Sequence, residues 1–170
     1  MFKFTHLVAL LLSLCSLATA TAAETLPAPE GPVLLTVSDN IAVTNIGETA
    51  QFDLAMLQAL GETEIVTDTI WTPGTHRFTG VLLDTLLGAV GAQGARLQAT
   101  AINDYTVEIP ATDATAQGPI IAYAMDGKPM SRRDKGPLWV IYPYAADPQY
   151  RTEVIYSRSI WQLDRMTVVE

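Results

Sequence analysis

Two apolar periods follow one another along this chain, and together they restrict what it can fold into. Leu82, Leu83, Leu86, Leu87 and Val90 recur at helical spacing and Gly91 closes the stripe, which predicts a helix over Val81–Val90 opened by Phe78-Thr79-Gly80. From Arg96 onward the period drops to two. Arg96–Ala101, Tyr105–Ile109, Ile120–Met125, Leu138–Tyr142 and a closing Ile160–Val169 read as strands, joined by turn signals at Asn103-Asp104 and Asp126-Gly127. Upstream, Val33–Val37 and Ile41–Val43 read as a hairpin about Ser38-Asp39-Asn40. Asp53 stands where a cap would start a short helix ending at Gly61, and Glu64–Thr69 alternates as a strand. No repeat period or low-complexity block divides the chain, so these elements predict one mixed α+β domain.

The N-terminus has the pattern of an export signal: Lys3, an apolar run from Leu7 to Leu17, then small residues to Ala23. The run is shorter than the roughly 18 residues a membrane span needs. The expected organisation is a signal peptide over 1–23 and a domain over 24–170, with a periplasmic destination. Cleavage there removes Cys15, the single cysteine, so the mature chain offers neither a disulfide nor a thiolate for nucleophilic attack or metal ligation. His76 is the one histidine left, which excludes His-based triads and multi-histidine metal sites; its Gly74-Thr75 neighbours predict a surface loop.

The 170 residues carry a net charge of −8, the wrong sign for a general nucleic-acid binder. The charge is uneven. Residues 24–125 hold two cations, Arg77 and Arg96, against twelve carboxylates, whereas residues 126–170 hold seven cations and six carboxylates. Those cations, Arg151 and Arg158 among them, are interleaved with Trp139, Tyr142, Tyr144, Tyr150, Tyr156 and Trp161. Guanidinium forks donate in pairs to planar oxygens and aromatic faces hold flat rings, so the cluster suits a planar polar heterocycle. The same residue types also coat ordinary strand surfaces. Arg132, Arg133 and Lys135, in an expected loop before Gly136-Pro137, form a secondary set.

Phe78 to Leu87 followed by Gly91, Asn103-Asp104-Tyr105 before a strand, Ala122 to Pro129, Gly136-Pro137-Leu138 running to Pro143, and Leu163 to Val168 lie in one order and spacing over about Val66–Val169. This series resembles the sulfite-oxidase-type molybdopterin-binding domain. The resemblance implies a mixed α+β fold that holds a pterin cofactor in a groove lined by strands and loops. In enzymes of that family a cysteine binds molybdenum, and Trp161 stands about where a lysine is usual. The stretch Arg151 to Leu163 resembles a small group of exported proteins that bind reduced pterins and signal to membrane enzymes of cyclic-di-GMP metabolism.

The resemblance implies a non-enzymatic periplasmic protein that binds a free or molybdopterin-like pterin and reports it to the periplasmic domain of a membrane partner, with no catalytic metal. Trp161 with Tyr144 or Tyr150 would stack on the ring, Arg151 and Arg158 would donate to its oxygens, and Asn103, Asp104 and Ser159 would read its edges beside Tyr105. A molybdopterin-dependent oxidoreductase or accessory subunit with a non-cysteine metal site is the alternative, and an interaction module with a vestigial groove is a third.

Overall fold

The computed structural model describes residues 25–170. The expected signal peptide, with Cys15, lies outside the described residues. Ten strands, β1 Leu35–Ser38, β2 Ala50–Phe52, β3 Thr63–Thr69, β4 Thr72–Leu82, β5 Arg96–Ala101, β6 Thr106–Pro110, β7 Ile120–Met125, β8 Lys128–Pro129, β9 Leu138–Ile141 and β10 Trp161–Val169, form one mixed sheet. Three short helices accompany it: α1 Leu54–Ala59, α2 Leu83–Val90 and α3 Glu153–Arg158. The main path runs β2-β1-β10-β9-β7-β4-β3, with the β5–β6 hairpin joined through β10 and β8 paired to β7. β1 and β10 pair in parallel, Thr36 opposite Arg165, while the other strand pairs are antiparallel.

Burial explains the order. All of β9 and Ile120–Tyr123 of β7 are buried, which is why these strands read as continuous apolar runs: both faces of the sheet are covered at its centre. β1 alternates, sending Leu35 and Val37 inward. Phe52, Leu57, Phe78, Leu83, Leu86 and Trp139 are fully buried in the same core. Asp53 caps α1 by accepting the Met56 N–H at 2.9 Å, and its other oxygen accepts the N–H groups of Glu30 and Gly31 at 2.9 and 2.8 Å. These donors, Met56 first, hold its carboxyl below the usual aspartate range.

Several elements differ from expectation. Ile41–Val43 is not a strand: Asp39 and Asn40 adopt φ of 55° and 26° and turn the chain toward the end of α2, where Ala42 and Val43 donate to the Val90 carbonyl. The hairpin partner of β1 is β2, Leu35 opposite Phe52. Phe78–Leu82 belongs to β4, held between β3 and β7, and the helix starts only at Leu83, whose N–H donates to the Pro119 carbonyl. Leu82 makes no side-chain cap there, so the sequence carries no start signal; Gly91, at φ 58°, ends the helix as expected. His76 lies on β4 and not in a loop.

Candidate functional site

Four segments meet around a hollow of about 420 Å³. Trp71 comes from the β3–β4 turn, Asn103 and Tyr105 from the β5–β6 turn, Tyr156 and Ser157 from α3, and Ser159 to Gln162 from the entry to β10. Each is placed by local chemistry. The Thr69 hydroxyl oxygen accepts the N–H groups of Trp71 and Thr72 at 3.1 and 3.0 Å and so builds the tight turn that presents the Trp71 indole. Gln162 sits at φ 53°, where the pairing of β10 slips between Trp161 and Leu163. This bulge re-aims the side chains on either side of it, leaving Trp161 partly exposed while Leu163 is buried. Three hydrogen bonds hold Gln162: its N–H to the Lys135 carbonyl at 3.0 Å, its side-chain amide to the Arg132 carbonyl at 2.6 Å, and its own carbonyl to the Ile102 N–H at 2.9 Å.

The indoles of Trp71, Trp139 and Trp161 stand edge to face, with centroids 5.6 to 6.3 Å apart, and Tyr156 meets Trp71 at 5.8 Å. Behind them Ser159 is buried and fully engaged. Its hydroxyl accepts from Tyr144 at 2.6 Å and donates to the Ile155 carbonyl at 2.9 Å, while its carbonyl accepts the Trp139 indole N–H at 3.1 Å. Burial pushes the Tyr144 phenol up to about 12, so it stays a donor to Ser159.

The structure thus brings Asn103, Tyr105, Ser159 and Trp161 to one hollow and places the other expected residues elsewhere. Tyr144 is buried behind the wall and presents no face to the hollow. Tyr150 lines a separate polar cleft with Asp113 and Tyr142. Arg151 donates to the Tyr144 carbonyl at 2.8 Å and to Asp68 at 2.7 Å, and Arg158 pairs with Asp113 at 2.9 Å. These two cations pin the ends of α3, so they position Tyr156 and Ser157 instead of facing a ligand. Asp104, at φ 67° in the β5–β6 turn, pairs with Arg165. Of the secondary set, Arg133 and Lys135 line a second hollow of about 620 Å³ together with Trp139, and Arg132 contributes its carbonyl to Gln162. Trp71 and Gln162 were not singled out from sequence. The apolar Ile70-Trp71 pair among threonines at a hairpin turn was the available signal for the first, and nothing marked the second.

His76 lies outside the first hollow. Its Nδ1 meets Asp126 Oδ2 at 2.7 Å and its Nε2 meets the Pro73 carbonyl at 3.0 Å. Two acceptors around one ring are both satisfied only by the imidazolium, and the hydrogen bond to Asp126, ahead of the Pro73 carbonyl, raises its pKa above 6.5. Being raised, the group contributes stability in full below 6.5 and loses it as pH climbs through the folded value. A His76→Gln variant should therefore lose the fall in stability that the wild type shows over that interval. Urea midpoints measured from pH 5 to about 8.5 check this, and parallel pH profiles for the two proteins would refute it.

Residues 49–147 match the family described as "Oxidoreductase molybdopterin binding domain". The chain belongs to this family. Among solved structures, the molybdopterin-binding fold recurs in the sulfane dehydrogenase SoxCD from Paracoccus pantotrophus, with a TM-score of 0.58 and 14% identity over 79% of this chain. The match spans 37% of that longer chain, and at this identity it speaks for the fold alone. No curated protein matches the chain.

The family implies a molybdopterin, so the donors at the hollow can be tested against it. Two indoles, two phenols and the Asn103 and Gln162 amides suit a flat heterocycle with polar edges, while the Ser157 and Ser159 hydroxyls already donate to the Val154 and Ile155 carbonyls. The molybdenum half does not fit. The lining holds no thiolate, carboxylate or imidazole, and the described residues contain no group of three or more His, Cys, Asp or Glu placed to share a metal ion.

Proposed function

We propose that this protein is an exported, periplasmic, non-enzymatic binder of a pterin without a metal, and that it presents the bound state to the periplasmic domain of a membrane signalling partner such as a cyclic-di-GMP enzyme. The carrying observation is the hollow itself: a half-exposed indole, Trp161, beside Trp71 and the Asn103 and Gln162 amides, in a domain whose family binds a pterin cofactor. Ile70, Tyr105 and Val154, on three of the four segments that build the walls, are exposed by 62%, 59% and 56%. Such apolar exposure close to a ligand site supports a partner that covers ligand and rim together.

A pterin of roughly 17 to 22 non-hydrogen atoms at about 0.4 kcal/mol each binds with about 7 to 9 kcal/mol, near micromolar, which suits a reporter. Calorimetry of the purified protein with a tetrahydropterin is expected to show saturable heat and a raised melting temperature. Neither signal at saturating ligand would refute the proposal. Trp161→Ala is expected to weaken binding by about 1 to 3 kcal/mol through lost stacking and burial, read from the same titration.

A further inference from the structure

Among the described residues, Arg77, Arg96, Arg151, Arg158 and Arg165 each have a carboxylate within ion-pair distance. Lys128, Arg132, Arg133 and Lys135 have none, and they stand together in the stretch 128–135. Solubility does not call for them, since the chain already carries a charge of −8. Lys128, Arg133 and Lys135 line the second hollow, of about 620 Å³. Its two carboxylates are engaged from within the fold: Asp126 accepts from His76 at 2.7 Å and from the Arg77 N–H at 3.0 Å, and Asp134 accepts from the Ser131 hydroxyl at 2.7 Å. The result is a recess of positive charge on an acidic protein.

We infer that the second hollow and its 128–135 stretch are the docking face for an acidic segment of the protein partner. This deepens the partner half of the reading above and rests on it, but it does not depend on the pterin. Complementary charge steers two surfaces together and fixes their register, and four cations without internal counterparts are free to supply it. A protein segment suits the site better than an anionic membrane does. A narrow segment feels only charges within a screening length of about 8 Å. A plane of lipid headgroups would also face the exposed Asp126 and Asp134 and the rest of a chain at −8, and it cannot enter a recess. The docking face is wired to the ligand hollow. The Arg132 and Lys135 carbonyls hold Gln162 at 2.6 and 3.0 Å, and the Lys135 ammonium lies 4.3 Å from the centroid of the Trp161 ring. A carboxylate drawn to Lys135 competes with that indole for the cation, so docking is felt at Trp161.

The test titrates the purified protein, without pterin, with a fluorescein-labelled octaglutamate peptide followed by anisotropy and with the unlabelled peptide followed by tryptophan emission. Wild type, the double variant Lys128→Glu/Arg133→Glu, and Arg96→Gln are compared. The expected result is saturable binding that weakens with added salt, with an emission change at the same midpoint. The double variant should bind about tenfold more weakly, whereas Arg96→Gln, whose cation Glu108 already engages, should bind as wild type does. Undiminished binding by the double variant, or binding without an emission change, overturns the inference. So does a wild type that ignores the peptide, and if it then binds vesicles of phosphatidylglycerol and phosphatidylethanolamine, the stretch belongs to a membrane instead. None of these results bears on the calorimetry with a tetrahydropterin, so the two readings fail separately. If the double variant does not fold, Lys128→Gln/Arg133→Gln carries the same comparison.

Discussion

Gly80→Ala is expected to cost about 3 kcal/mol or more, a large share of the roughly 5 to 15 kcal/mol that an ordinary domain has. A β-carbon at this position would lie 2.2 Å from the Ile121 carbonyl oxygen and 2.6 Å from the Ala122 Cα. Those are backbone atoms of the neighbouring central strand, so relief requires parting β4 from β7 where their register already slips between Thr79 and Gly80. Gly88→Ala supplies the control. Its β-carbon would meet nothing within 4 Å on α2, so the change is expected to be neutral or to stabilise by up to about 1 kcal/mol. Urea unfolding of the two variants side by side decides the matter: equal midpoints would show that the β4–β7 contact is not the constraint argued here.

Trp139→Ala is the second large effect, expected at about 3 to 5 kcal/mol. The indole is fully buried, stacks edge-on against Phe78 at 5.5 Å and Trp71 at 5.8 Å, and donates to the Ser159 carbonyl. Truncation removes the support on which Trp71 and Trp161 both rest, so pterin binding should fall further than in Trp161→Ala. Trp139→Phe restores much of the volume but not the hydrogen bond, and should recover more than half of the lost stability. Full recovery of the urea midpoint by phenylalanine would show that the bond to Ser159 contributes nothing.

The sequence was most readable where a local rule and the tertiary environment agree. β5 has the bounds that period-two alternation predicts and β7 those of its continuous apolar run, Asp53 caps α1 as its position implies, and the Asp126-Gly127 turn adopts the positive φ values, 50° and 72°, that this pair favours. The start of α2 failed because Val81 and Leu82 satisfy a helical stripe and a buried strand equally well, and pairing with β7 decided between them. α3 was missed because its six residues bury no side chain and carry no apolar stripe, whereas the equally short α1 holds Leu57 in the core. At the site, Trp161 and Asn103 were legible from residue type and turn position. The fate of the cations was not: Arg151 and Arg158 are taken up by Asp68 and Asp113, 83 and 45 residues away in the chain, and no local pattern announces such a partner. The reversed twist at Gln162 was equally invisible, since a residue of ordinary type is held there by the 132–135 loop.

The clasp that Asp53 makes on the Glu30 and Gly31 amides has a practical corollary for anyone trimming this protein from its front end. Cutting as far as residue 29 leaves both donors in place, whereas two residues more strip one carboxylate oxygen of its partners while the helix behind it still begins at Leu54. The shortest fragment worth expressing therefore starts no later than Glu30, well ahead of the first strand.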